Sequence, residues 1–301
     1  MTPLLGYRRP DGSLGARNHV LVLPSVVCAD NTAARIAAAG GVAVLHQHGC
    51  GQVGDDAVHT ERAFRGYALN PNVGACVVVS LGCETVQGRL LHDRLAAAGQ
   101  RTAFAGIQLL GGTDAATAVG AHDLEELRAL MTEQSREPGT PADLRLGIES
   151  ATSTFDRARE LFDGANANGF GAVLAVPAGY PGEHDAELVV YGARADSTAA
   201  VVEHAGEGAE QHVALAAAGA QVIVSLRARR QAPVGCAIVP VVAVAGDDEI
   251  FDALRDDFDL GPRASVDEIL KTAAAVFSGA ETAAERRGAR DFVLRRMART
   301  M

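Results

Sequence analysis

Apolar runs and polar turns alternate along this chain with enough regularity to predict its elements. Residues 1–18 are polar and turn-rich, with Arg9-Pro10-Asp11-Gly12 at their centre, and predict an opening hairpin or arm. His19 to Pro24 is a first apolar strand, running through Ser25-Val26-Val27-Cys28-Ala29-Asp30-Asn31 into a helix over Thr32 to Ala39, with Asp30 or Asn31 as its N-cap. Gly40-Gly41 stops that helix, and Val42 to Leu45 reads as a buried strand. A helix over Ala57 to Leu69 ends near Asn70-Pro71-Asn72. Val73 to Leu81 is a continuous, valine-rich run that suits a parallel strand covered on both faces. A helix from Gln87 to Ala98 leads to a fourth strand, Thr102 to Ile107, and Gly111-Gly112-Thr113-Asp114 opens a long helix reaching Gln134. Four alternations of strand and helix predict a doubly wound parallel sheet with right-handed crossovers.

Glu137-Pro138-Gly139-Thr140-Pro141 is the linker candidate. The pattern then restarts with a strand at Leu144–Ile148, a helix at Phe155–Asn168 and a strand at Ala172–Val176. A loop over Pro177 to Asp185 leads to a short strand at Leu188–Tyr191, and the alanine-rich stretch Asp196 to Ala218 predicts helix. Strands at Gln221–Ser225 and Ala237–Val242 follow, then helices at Asp247–Leu254, Ser265–Phe277 and Ala283–Met297. A chain of 301 residues exceeds what one core usually holds. The expectation is therefore α/β, two Rossmann-like domains with mainly parallel sheets flanked by helices, a first over residues 1–136 and a second over 142–301.

Composition narrows the partners. A net charge of −10 argues against a nucleic-acid backbone as ligand. Apolar runs are too short to span a bilayer, and the N-terminus lacks the apolar core of a signal peptide, so a cytoplasmic protein is expected. Lys271 is the only lysine, which leaves Schiff-base chemistry one residue to draw on. The five cysteines are an odd number without a CxxC pair, so thiols are expected in place of a disulfide framework or a zinc knuckle.

Candidate chemistry concentrates in one connection, His46-Gln47-His48-Gly49-Cys50-Gly51-Gln52-Val53-Gly54-Asp55-Asp56, at a predicted strand-to-helix junction. In a parallel sheet the loops after the strands' carboxyl ends line one crevice. Cys28, the His46–Asp56 loop, Cys83-Glu84 and Gly111–Asp114 all follow predicted strands and should converge there. Thiolate, imidazole and carboxylate together are compatible with iron or zinc. Cys76, inside the valine run, reads as a core filler, and Cys236 as structural. Cys28 at a helix start is either an activated thiol or simply a small residue, and Gly111–Asp114 either an anion site or an ordinary cap.

Several motifs stand in register: Arg8-Arg9-Pro10-Asp11-Gly12 with Gly15-Ala16-Arg17-Asn18, Val22-Leu23-Pro24-Ser25, the His46–Asp56 loop, Asn70-Pro71-Asn72, and Leu81-Gly82-Cys83-Glu84. Across residues 6–149 this pattern resembles the altronate dehydratase family, which also holds galactarate dehydratase and the large subunit of sulfolactate sulfo-lyase. The resemblance implies a metal-dependent hydro-lyase, using Fe(2+) or else manganese or zinc, that converts a sugar acid to a 2-keto-3-deoxy acid. On that footing His46, Cys50 and Cys83 would be metal ligands; His48, Glu84 and Asp55 would be catalytic; and Arg17, Asn18, Gln52 and Thr113 would bind substrate. The implied partners are a small hydroxy acid, a separately encoded small N-terminal-type subunit, and further copies of the chain in a homo-oligomer. The second half departs from the family. Where a Cys-Gly-Gly-Ser-Asp motif is usual, this chain has Ser150-Ala151-Thr152-Ser153-Thr154, and a glycine- and lysine-rich segment between residues 190 and 215 is replaced. An accessory, non-catalytic subunit of a split lyase is the alternative these departures raise.

Overall fold

The computed structural model describes residues 4–52, 54–177, 179–180, 186–204 and 206–296. Val53 of the motif loop, Ala178 and Pro181–Asp185 of the predicted loop, and Met297 lie outside the described residues. Strand β1 (Leu4–Arg8) turns back on β2 (Leu14–Gly15) as the predicted hairpin. Then β3 (His19–Pro24), helix α1 (Asp30–Ala37), β4 (Val42–Ala43), α2 (Asp55–Ala68), β5 (Val73–Ser80), α3 (Gly88–Ala97), β6 (Arg101–Gly106) and α4 (Thr113–Thr132) build the first α/β layer. Its strands are all parallel and ordered β4-β3-β5-β6. Every residue of β5 is buried. Ala75, Val77 and Val79 join the core under α1 and α4, while Cys76 and Val78 join a core on the opposite face. The unbroken apolar run thus has the physical origin expected for a strand covered on both sides.

The predicted linker is not a free connection. Strand β7 (Glu137–Gly139) pairs antiparallel with β1, so residues 137–139 close a three-stranded sheet β2-β1-β7. The second layer follows: β8 (Arg145–Ser150), α5 (Phe155–Ala167), β9 (Gly171–Pro177), β10 (Glu187–Val189), β11 (Ala199–His204), α6 (Ala209–Ala217), β12 (Val222–Leu226), β13 (Val241–Val244), α7 (Asp248–Ala253), α8 (Val266–Phe277) and α9 (Ala283–Arg286). Its six strands are parallel and ordered β10-β11-β9-β8-β12-β13.

Three expectations fail here. Part of the alanine-rich stretch Asp196–Ala218 is strand, because Ala199–His204 fills the slot beside β9 and six ladder partners outweigh alanine's helix preference. The strand expected over Ala237–Val242 begins only at Val241. The last helix ends at Arg286, and residues 291–296 run without regular structure.

The two sheets share a core. Phe64 and Tyr67 of α2, Leu215 of α6 and Ile223 of β12 belong to one buried cluster that spans both layers. Polar clamps reinforce this seam. Asn70 donates to Ala216 O (2.7 Å) and Ala220 O (2.8 Å). Asn72 donates to Gln221 O (2.9 Å) and Ile238 O (3.1 Å) and accepts from the amide of Ala16 (2.8 Å). The Asn-Pro-Asn motif is therefore a docking device between layers. Among the described residues no helix is long and apolar enough to cross a membrane.

Candidate active site

In the first sheet the chain moves from β3 outward to β4 and then to β5 on the other side, so the strand order reverses between β3 and β5. Such a switch point leaves a crevice at the carboxyl ends of the strands. Three loops meet there and are sewn together by main-chain hydrogen bonds. Val27 N–H donates to His48 O (2.9 Å) and Thr85 N–H donates to Gly49 O (2.9 Å). Ser25 Oγ donates to Glu84 Oε1 (2.9 Å). Gly49 has φ +92°, and a Cβ on it would lie 2.3 Å from Ser25 O, so only glycine fits where these loops cross. Of the four loops expected to converge (Cys28, His46–Asp56, Cys83-Glu84 and Gly111–Asp114), these bonds join the first three, and none of them reaches Gly111–Asp114.

His46 is buried with both ring nitrogens engaged: Nε2 donates to Pro24 O (2.8 Å), and Nδ1 accepts from the His48 amide (3.2 Å). Burial brings its pKa down to about 4, so the ring is neutral. It lies tilted against Phe64 and Phe292, with ring centroids at 4.8 and 6.3 Å. As a metal ligand it would have to give up one of these bonds. Among the described residues no group of three or more His, Cys, Asp or Glu side chains is gathered to hold a metal ion. The expected set of His46, Cys50 and Cys83 therefore does not fit a metal as it stands, although the thiols of Cys28, Cys50 and Cys83 are all exposed.

His48 is half-buried. Its Nδ1 accepts from Gln52 Nε2 (3.3 Å), which leaves the ring proton on Nε2 in the neutral form. Burial and the nearby Arg296 lower its pKa, and Asp56 opposes them. Gln52, expected to touch substrate, is buried as the loop's organiser: Oε1 accepts from Gly49 N (3.0 Å) and Nε2 donates to Thr60 Oγ1 (2.9 Å). Glu84 is similarly committed, accepting from Ser25, Gly82 N (2.6 Å) and Gly88 N (3.3 Å). This carboxylate builds the loop, with Oε1 accepting two of these bonds and Oε2 one, so a proton-transfer role would compete with them. Of the Asp55-Asp56 pair, Asp55 faces solvent and Asp56 is the buried one.

Arg17 and Asn18 lie away from the crevice. All five guanidinium N–H groups of Arg17 are taken: two by Glu285 (2.6 and 2.8 Å) and the others by the carbonyls of Ala16, Val276 and Ala280. Asn18 accepts from Arg9 (2.7 Å) and donates to Met131 O (2.8 Å). Both anchor the chain's N-terminal arm, so the structure corrects their expected role. Thr113 is the first residue of α4, where its carbonyl accepts from Thr117 Oγ1, an ordinary helix start.

Two features escaped sequence reasoning. Asp30 is not the cap of α1 but its first residue, and its Oδ2 accepts from His46 N (2.9 Å) across the crevice. Its Oδ1 is buried without a hydrogen-bond partner among the described residues. Burial raises this carboxyl to about 6, against the smaller opposing effect of the His46 amide. An aspartate just after a strand end was the available signal, but cap preference masked it. The second feature is the segment 289–296. Asp291 accepts from Gly235 N (2.8 Å), Phe292 lies on His46 and Tyr67, and Arg295 N donates to Tyr191 Oη (2.9 Å). This strap ties the second layer to the first crevice, and no local pattern could announce it.

Comparison with known proteins bears on this geometry. A model described as D-galactarate dehydratase/altronate hydrolase, second domain, matches residues 6–132. Another, D-galactarate/altronate dehydratase, C-terminal, matches residues 186–300. The altronate dehydratase of Escherichia coli is 31% identical over 160 residues, which is 49% of this chain and 32% of that protein. That of Bacillus subtilis is 30% identical over 176 residues, 54% of this chain and 34% of that protein. The (2R)-sulfolactate sulfo-lyase subunit beta of Chromohalobacter salexigens is 42% identical over 80 residues, 26% of this chain and 20% of that protein. The matched stretches span about a third of the two dehydratases' own length.

Proposed function

The chain belongs to the D-galactarate/altronate dehydratase family, and from that premise we propose that it is a hydro-lyase acting on a sugar acid or related small hydroxy acid. The product would be a 2-keto-3-deoxy acid. The observation that carries this reading is the crest at the first switch point, where three sewn loops bring Asp30, His46 and His48 together. β-Elimination beside a carboxylate needs a base for the α-proton and a donor for the departing hydroxyl. Asp30 supplies the base: its carboxyl titrates at about 6, so it is ionised at neutral pH yet far more basic than an exposed aspartate. His48 donates a hydrogen bond to the departing hydroxyl, because Gln52 holds the ring's proton on Nε2, and the proton that completes the water is the one Asp30 takes from the α-carbon. His46 moves no proton; it holds the two loops in place through its amide and its Nδ1. Because the expected ligand set does not fit a metal, no step here runs through one.

The test is turnover by the purified chain on a panel of aldonates, aldarates and sulfolactate, read as keto-acid release. Asp30→Asn should lower the rate by about 10²-fold or more with little change in melting temperature. In the wild-type protein kcat/KM should rise through about pH 6 as Asp30 ionises. Full turnover by Asp30→Asn would remove Asp30 from the chemistry.

A second reading is that the chain is one subunit of a split lyase. It is favoured by the relative whose name makes it a subunit beta, and by Thr154, whose hydroxyl is engaged with Leu226 O (3.1 Å) and Ala151 O (3.2 Å). Product from the isolated chain would rule that reading out.

A further inference from the structure

The carboxyl ends of β5 and β6 border a cavity of about 420 Å³, one strand pair along from the Asp30–His48 crest. Close packing builds its base. A Cβ on Gly88, the first residue of α3, would lie 2.6 Å from Ser80 Cβ and 2.8 Å from Ser25 Oγ. A Cβ on Gly106, the last residue of β6, would lie 2.9 Å from Phe104 Cε1 and 3.2 Å from Leu109 Cβ. Glycine at both positions lets α3 and the Phe104 ring close on the strand ends.

Arg89, the second residue of α3, reaches across to β6, where its Cζ stands 3.9 Å from the centroid of the Phe104 ring. His92, one turn further along α3, meets the same ring edge-on at 5.8 Å between centroids. A guanidinium held over an aromatic ring is fixed in place without spending its N–H donors. Among the described residues no carboxylate pairs with Arg89 and none of its N–H groups has a hydrogen-bond acceptor. Arg94 on the same helix, by contrast, is paired with Glu61. The acid in the cavity wall does not answer Arg89: Glu84 is buried and accepts from Ser25, Gly82 and Gly88. Leu109, 70% exposed on the loop after β6, lines the cavity together with Leu81. An exposed leucine alone would need no explanation. Here it borders an enclosed volume that also holds a fixed, unpaired cation.

We propose that this cavity binds a small aliphatic carboxylate, with its carboxylate on the N–H donors of Arg89 and its carbon chain on Leu81 and Leu109. A planar guanidinium meets a planar carboxylate through two parallel hydrogen bonds. Inorganic phosphate has acceptors for the same donors but gains nothing from the leucines, so the acid's chain length sets the affinity. The site shares the Cys83-Glu84 loop with the first crest. It does not depend on the lyase reading, in which neither Arg89 nor Leu109 takes part.

The experiment is calorimetric titration of the whole chain with acetate, butyrate and inorganic phosphate at constant ionic strength. Saturable binding is expected, with butyrate about fivefold or more tighter than acetate and tighter than phosphate. Arg89→Gln should weaken butyrate about tenfold or more, the loss of a charge-assisted hydrogen bond. Leu109→Glu adds a carboxylate to the wall and should bind butyrate about tenfold more weakly than Leu109→Gln, which has the same shape without the charge. Arg89 and Leu109 are both exposed, so these variants should melt with the wild type. Saturating butyrate should also slow the alkylation of Cys83, which lines the cavity, and leave that of the exposed Cys28 unchanged, as read by peptide mass. No saturable binding, phosphate bound more tightly than butyrate, undiminished binding by Arg89→Gln, or an unprotected Cys83 would overturn the proposal.

Discussion

Glu149 is buried on β8, accepting from His212 Nε2 (2.8 Å) and Arg227 Nη1 (2.5 Å), and replacing it by glutamine removes its charge and almost no volume, so the change isolates the electrostatics of this cluster. Burial alone would raise the Glu149 carboxyl, but the charges of His212 and then Arg227 outweigh it and hold the group at about 2, against an ordinary 4.5. Holding the acid so far below its ordinary value contributes on the order of 3 kcal/mol of folding stability at neutral pH. In Glu149→Gln it disappears and leaves Arg227 and His212 against a neutral amide. Breaking a buried pair in this way typically costs about 3–5 kcal/mol. The sign with pH follows from the direction of the shift. A depressed acid stabilises the fold above its unfolded pKa and loses that contribution as pH falls toward its folded one. The gap between wild type and variant should be full at about pH 7, begin to close below about 4.5, and narrow further at about pH 3.5. Urea unfolding at these pH values measures it. A difference under about 1 kcal/mol at neutral pH, or one that widens on acidification, would refute the charge assignment of Glu149.

Other perturbations address the seam and the crest. Asn72→Leu strands the amide of Ala16 and the carbonyls of Gln221 and Ile238 in a buried seam, and should cost about 4 kcal/mol or more in chemical denaturation. An unchanged urea midpoint would show that the layers dock without it. Gly49→Ala should abolish turnover and lower stability by about 2 kcal/mol, since its Cβ meets Ser25 O and φ is +92°. Retained activity would mean that the loop crossing is not part of the site. His46→Gln should retain whatever metal the anaerobically purified protein carries, because both ring nitrogens serve the fold. Metal lost in this variant but kept in Cys50→Ala would reinstate His46 as a ligand.

Local chemistry determined much of this protein from sequence alone. Continuous valine runs, helix stops at glycine and regular alternation specified two parallel α/β layers, and strand-end loops rich in His, Cys and Asp marked the first crest. These signals are legible because side-chain period and turn preference act within a few residues. Tertiary structure decided which polar residues belong to the site. Arg17 reads as a substrate clamp until Glu285, 268 residues away, takes its guanidinium. Asn70 and Asn72 read as the end of a helix until the second layer supplies the carbonyls they bind. Asp30 reads as a helix cap until His46 offers its amide across the crevice. The alanines of β11 read as helix until β9 provides a ladder. In each case the sequence gives the group's hydrogen-bonding capacity, but the partner that satisfies it arrives from a distant part of the chain, and burial then fixes its charge.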